Sequence, residues 1–101
     1  MNNKRKLERL RSDYDGHIYL FFHNQEEYDN FLKAAEKEGY RFGPYLPTKH
    51  LGELWDIISL GYDKQLAFCG YVSHMAYKSG NRGIYRIDYV KYVTGDDFFV
   101  L

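Results

Sequence analysis

Residues 24–40, NQEEYDNFLKAAEKEGY, constrain the fold more than any other stretch of the chain, because three independent signals there agree on one helix. Asn24 is suited to accept a hydrogen bond from a free N–H of the first turn, and Glu27, three residues on, is the acidic partner of a capping box. Tyr28, Phe31, Leu32 and Ala35 recur at the 3.6-residue period and form one apolar stripe, with Glu26, Asp29, Lys33, Glu36 and Lys37 on the wet side. Gly39 supplies the stop, since a left-handed residue after a helix costs glycine little. The pattern predicts a helix over 25–38, and its single stripe needs a sheet to cover it.

Strands are written on both sides of that helix. Residues 17–22, HIYLFF, are β-branched and aromatic and read as the first strand. Ile18, Leu20 and Phe22 point to one face, and His17, Tyr19, Phe21 and His23 to the other. Both sets are largely apolar, so this strand is central or has its second face covered. Residues 40–42 predict a short second strand before Gly43, Pro44 and Pro47 impose a loop. Thr48 reads as the cap of a second helix with the stripe Leu51, Leu54, Trp55 and Ile58 and a stop at Gly61, although Gly52 weakens it by about 1 kcal/mol relative to alanine. Residues 66–77 read as a long strand inside the sheet, and 78–83, KSGNRG, as the turn of a hairpin whose return strand is 84–89. Residues 90–95 fit a strand or a short helix equally, and 98–101 can add an edge strand. The order β-α-β-α-β-β argues an α+β fold, a two-layer sandwich with two helices on one face of a mostly antiparallel sheet.

The 101 residues, 45% of them hydrophobic, have the length of one domain, expected over residues 13–101. Residues 1–12 have only Leu7 and Leu10 to bury and are expected to lie loosely on it as a basic segment. Fourteen basic and fourteen acidic side chains cancel, so no global field favours nucleic acid or a membrane surface. The one cysteine, Cys69, excludes an intramolecular disulfide and fits a reducing, cytoplasmic setting. No apolar run approaches the roughly 18 residues of a spanning helix, so no membrane association is expected.

The residues that invite chemistry do not assemble into a motif. His17 and His23 share a strand face but stand roughly 20 Å apart, too far to share an ion, and Cys69 and His74 fall on opposite faces of their strand. The DYDG turn at 13–16 has Asn24 where a calcium loop needs glutamate. His50, near the start of the expected second helix, is suited to a small anion or simply to solvent. There is no nucleophile elbow and no phosphate-binding glycine loop. Neither an enzyme nor a cofactor nor a metal is expected.

Two resemblances bear on function. EEYDNFLKAAEKEGYRF, within residues 18–42, resembles the strand-to-helix segment of small α/β accessory proteins of phages and mobile elements, which implies binding of a host or phage component. HIYLFFHN resembles the first-strand motif of an RNA-recognition motif and RGIYRIDY partly resembles its partner. However, Ile84 and Arg86 hold the central aromatic positions and the order along the chain is wrong for that fold. What remains is a tyrosine-rich, basic surface. The expected binding residues are Tyr19, Phe21, Tyr71, Tyr77, Lys78, Arg82, Tyr85 and Arg86, a composition that suits a protein interface and also single-stranded nucleic acid. The resulting expectation is a non-enzymatic binding protein, a mobile-element regulator or inhibitor of a host defence protein. A nucleic-acid-binding accessory protein using the basic N-terminus and the Tyr/Arg hairpin is the alternative, and a homodimer is a further way to cover the second sheet face.

Overall fold

A computed structural model describes residues 6–53, 57–68 and 84–101. Strand β1, His17–Phe21, is at the centre of a four-stranded sheet of order β3-β2-β1-β4. Strand β2, Ile57–Leu60, runs antiparallel to β1, and β3, Leu66–Phe68, antiparallel to β2. Strand β4, Ile84–Asp88, runs parallel to β1, so the sheet is mixed. Directly paired residues share a face. The pairs Ile18↔Leu60, Leu20↔Ile58, Leu60↔Leu66 and Leu20↔Ile87 therefore place one apolar set toward the helices.

Three helices contribute to that side: α1, Leu7–Asp13; α2, Gln25–Lys37; and α3, Tyr89–Thr94. Leu7 and Leu10, then Tyr28, Phe31, Leu32 and Ala35, then Tyr89 and Tyr92 join Ile18, Leu20, Phe22, Ile58, Leu60 and Ile87 in one buried core. The α+β class and the α2 stripe are thus as the sequence predicts. The local signals also hold. Glu27 N–H donates to Asn24 Oδ1 at 2.9 Å, while Glu27 Oε1 reaches one residue further back, to His23 N–H at 3.0 Å. Gly39 at φ +89 lets Gly39 N–H and Tyr40 N–H return to Glu36 and Ala35 carbonyls, a Schellman-type stop.

Other elements differ from expectation. The second helix is a single 3-10 turn, Pro47–His50. Gly52 then adopts φ +83, which breaks the stripe, and Leu51 is 41% exposed. Ile57 and Ile58 are instead buried on opposite faces of β2, the role β-branched residues fill well. Leu54 and Trp55 lie outside the described residues. Among the described residues β3 is outermost and β4 pairs with β1 on the other side of the sheet; residues 69–83, which hold the rest of the expected long strand and the hairpin turn, lie outside the described residues. Parallel pairing puts Ile87 beside Leu20 in the core and delivers the chain directly into α3. Asp88 Oδ1 accepts Lys91 N–H at 3.3 Å and Gly95 closes the helix at φ +91, which settles residues 89–94 as helix.

The described part of the N-terminal segment, from Lys6 onward, is fastened to the core. Leu7 and Leu10 are buried, and Glu38 carboxylate oxygens accept Leu7 and Glu8 N–H at 3.1 and 3.2 Å. Arg11 donates to the carbonyls of Leu60, Tyr14 and Gly16 at 2.6, 2.8 and 2.6 Å, with its guanidinium 3.9 Å from the Tyr62 ring centre. One charged fork thereby ties α1, the turn into β1 and the end of β2 together.

Both sheet edges meet further backbone. On the β3 side Leu66 N–H donates to Arg41 O at 2.8 Å, so the expected strand at 40–42 is reduced to bridges at Arg41 and Phe42. On the β4 side Asp88 N–H donates to Phe99 O at 2.8 Å and Leu101 N–H to Arg86 O at 2.7 Å, around an antiparallel bridge of Ile87 with Val100. That is the edge segment expected at 98–101. Among the described residues no helix is long and apolar enough to cross a membrane.

Candidate interaction surface

The sheet separates the residues expected to bind. Tyr19 is on the face opposite the helices and is 7% exposed, in a small cluster with the buried Ile57 and the partly buried Phe21 and Ile84. Arg86, paired with Tyr19, is on that face too and is partly buried. Tyr85 pairs with Ile18 and is on the helix side, its ring 4.9 Å from that of Tyr14. Tyr71, Tyr77, Lys78 and Arg82 lie outside the described residues. The described members are therefore brought together only as Tyr19, Phe21 and Arg86, and the Tyr19 ring already faces other atoms of its own chain.

Freely displayed large apolar side chains occur elsewhere, in the loop after α2. Phe42 and Tyr45 exchange two backbone hydrogen bonds of 2.9 Å around Gly43 and Pro44. Gly43 has φ +58 at the first central position, as a two-residue type II′ turn needs, and proline after it excludes the type I′ alternative. The turn leaves Tyr45 50% and Leu46 43% exposed, and Leu51, past the 3-10 turn, is exposed as well. Lys49 Nζ is 4.1 Å from the centre of the Tyr45 ring, a cation–π contact at the edge of the patch.

This loop is anchored along one flank of α2. Glu36 Oε1 accepts both Thr48 N–H and Thr48 Oγ1–H, at 3.2 and 2.6 Å. Asp29 Oδ1 accepts Gly52 N–H at 3.0 Å, and the Tyr28 hydroxyl donates to His50 O at 3.2 Å. Burial, with Glu53 and Asp29 nearby, raises the Tyr28 phenol well above its ordinary range, so it stays a neutral donor. His50 is not a solvated histidine. Its ring meets the faces or edges of Phe42 and Phe68 at 5.1 and 4.8 Å, those two rings stack at 4.5 Å, and its Nδ1 is 3.1 Å from Glu53 Oε1. Pro47 is buried beneath. The sequence signal for this surface was the GPYLP run, two large apolar residues between two prolines, which reads as a loop without announcing that its side chains face water.

A second polar feature stands where the parallel strands β1 and β4 end. His23 Nε2 is 2.8 Å from Asp88 Oδ2; the Asp88 side chain is almost fully buried and His23 is half exposed, its ring 4.9 Å from Phe21. Among the described residues no group of three or more His, Cys, Asp or Glu side chains converges as metal ligands would. No family model, curated protein or solved structure matches this chain.

Proposed function

We propose that the protein is a non-enzymatic binding protein that engages another protein through the loop surface of Tyr45, Leu46, Lys49 and Leu51. The supporting observation is the pairing of exposure with anchorage. Three large apolar side chains are displayed to water on backbone held by Asp29, Glu36 and Tyr28 of α2. A surface of this kind loses little conformational entropy when a partner covers it, and tyrosine is among the residues interface centres favour. The likeness of residues 18–42 to accessory proteins of phages and mobile elements supports a host or phage protein as the partner and a regulatory or inhibitory role. The nucleic-acid alternative uses the basic N-terminus and the Tyr/Arg hairpin; Arg11 of the first is committed to three carbonyls within the chain, and Tyr71, Tyr77, Lys78 and Arg82 of the second lie outside the described residues.

The test is a photo-crosslinking amino acid placed at position 45 and the tagged protein exposed to host lysate with and without nuclease. A single nuclease-resistant adduct, lost when Leu46→Asp and Leu51→Asp are combined in a variant with unchanged circular dichroism, is the expected result. An adduct that persists in that variant places the interface elsewhere, and one removed by nuclease transfers the reading to nucleic acid.

A further inference from the structure

On the flank of α2 opposite the loop, the helix and α3 leave a groove of about 220 Å³ lined by Glu27, Asn30, Ala34, Tyr89, Val90, Val93 and Thr94. At 100° per residue, Glu27, Asn30 and Ala34 fall on one side of the buried stripe and Asp29 and Glu36 on the other. The groove is therefore separate from the loop surface and does not depend on its reading.

Its walls are held from below. Tyr89 is buried, with its ring 5.5 Å from that of Phe22 and 5.1 Å from that of Phe31. The two helices that form the groove each start from a side-chain cap, Asn24 on α2 and Asp88 on α3. The lining is mainly apolar: Ala34, Val90, Val93 and the Tyr89 ring. Thr94 Oγ1 donates to Val90 O at 2.7 Å, so its proton is used. Glu27 is the one charged residue in the lining, and no lysine or arginine lines it. Only Oε1 of the Glu27 carboxylate is bonded, to His23 N–H; Oε2 has no donor among the described residues, and neither has the Asn30 side chain. An acceptor with a full negative charge beside an apolar trough selects a ligand with a cation at one end and hydrocarbon at the other. An apolar cavity of about 150 Å³ admits a benzene ring, so this volume accommodates a single ring with a short arm.

From this we infer that the α2–α3 groove binds a small organic ammonium ion, a primary amine on a single ring or branched aliphatic chain, with the ammonium group on Glu27 and Asn30 and the hydrocarbon against Val90 and Val93. The probe is 2-phenylethylammonium chloride titrated into labelled protein at neutral pH, followed by amide chemical shifts, with 2-phenylethanol as the neutral isostere. Saturable shifts at Asn30, Ala34, Val90 and Val93 are expected, with the alcohol at least fivefold weaker. Glu27→Gln keeps an acceptor for His23 N–H and is expected to weaken the ammonium ion at least fivefold while leaving the alcohol unchanged. Thr94→Lys, an exposed change, is expected to weaken it similarly by placing a like charge at the rim. Non-saturable shifts, equal affinity for amine and alcohol, or an unaltered dissociation constant in Glu27→Gln would each overturn the assignment.

Discussion

Asp88 and His23, sixty-five positions apart in the chain, meet at 2.8 Å where two parallel strands end, and the same carboxylate caps the helix that follows. One oxygen of Asp88 takes the His23 ring and the other takes Lys91 N–H. A buried carboxylate with both oxygens engaged is costly to alter singly, because each partner is left unsatisfied. Asp88→Ala should lower stability by about 2 to 3 kcal/mol, the sum of a helix cap and a charged hydrogen bond. In a double-mutant cycle with His23→Ala, denaturant unfolding should show a coupling energy of about 1 kcal/mol; strict additivity would mean that the 2.8 Å contact carries no net energy.

Phe31 lies at the centre of the α2 stripe and is fully buried. Phe31→Ala should destabilise by about 3 to 5 kcal/mol, read as a large fall in the denaturation midpoint. An unchanged midpoint would contradict the buried face.

Arg11 holds three carbonyls that belong to β2 and to the turn before β1. Lysine keeps the charge but cannot present a planar fork to three acceptors at once. Arg11→Lys should therefore cost about 1 to 3 kcal/mol, and amide exchange should accelerate at residues 14–18 and 60–62 before the rest of the sheet.

Gly52 closes the anchored loop at φ +83, and a Cβ there would touch nothing within 4 Å. The penalty for Gly52→Ala is thus conformational, about 1 to 2 kcal/mol. Because Gly52 N–H is bonded to Asp29, the same change should weaken partner capture by the loop more than a surface substitution on α1, such as Ser12→Ala, does.

Burial, reinforced by Glu38 and Glu8, pushes the Tyr40 phenol up from 10.0 to about 12. The neutral form is favoured in the folded state, so this stabilisation is complete below pH 10 and is lost as pH rises from 10 through 12. Tyr28 and Tyr89 shift the same way, also chiefly by burial. Phenolate absorbance should show a late-titrating class, and Tyr40→Phe should reduce the loss of stability between those pH values. A single titration near pH 10 for all tyrosines would refute it.

What was legible in the sequence is what depends on near neighbours. Helix α2 was, because its cap, its period and its stop lie within sixteen positions of one another and agree. The strands β1 and β4 were legible as strands, but their parallel pairing was not, since nothing in HIYLF or IYRID specifies direction. Ile58 fitted a helical stripe from Leu51, but Ile57 beside it did not, and the pair suits a strand buried on both faces once the left-handed Gly52 ends the helical register. The loop surface escaped because exposure of Tyr45 and Leu46 is set by bonds from Asp29 and Glu36, which reach across the fold. Tyr19 and Tyr85 looked alike as sheet tyrosines, yet a parity of one residue sends the first to one face and the second into the helix layer.

The backbone met by each outer strand has a consequence for the protein in a crowded solution. A bare outer strand is a template onto which any extended chain, including a partly unfolded copy of the same protein, can add hydrogen bonds and grow. Arg41 occupies Leu66 on one side, and the Phe99 and Leu101 backbone occupies Asp88 and Arg86 on the other. Recruitment of foreign strands at these positions would first require the resident segment to leave. Strand addition at these positions should therefore begin with local opening of those short flanking segments and not with global unfolding.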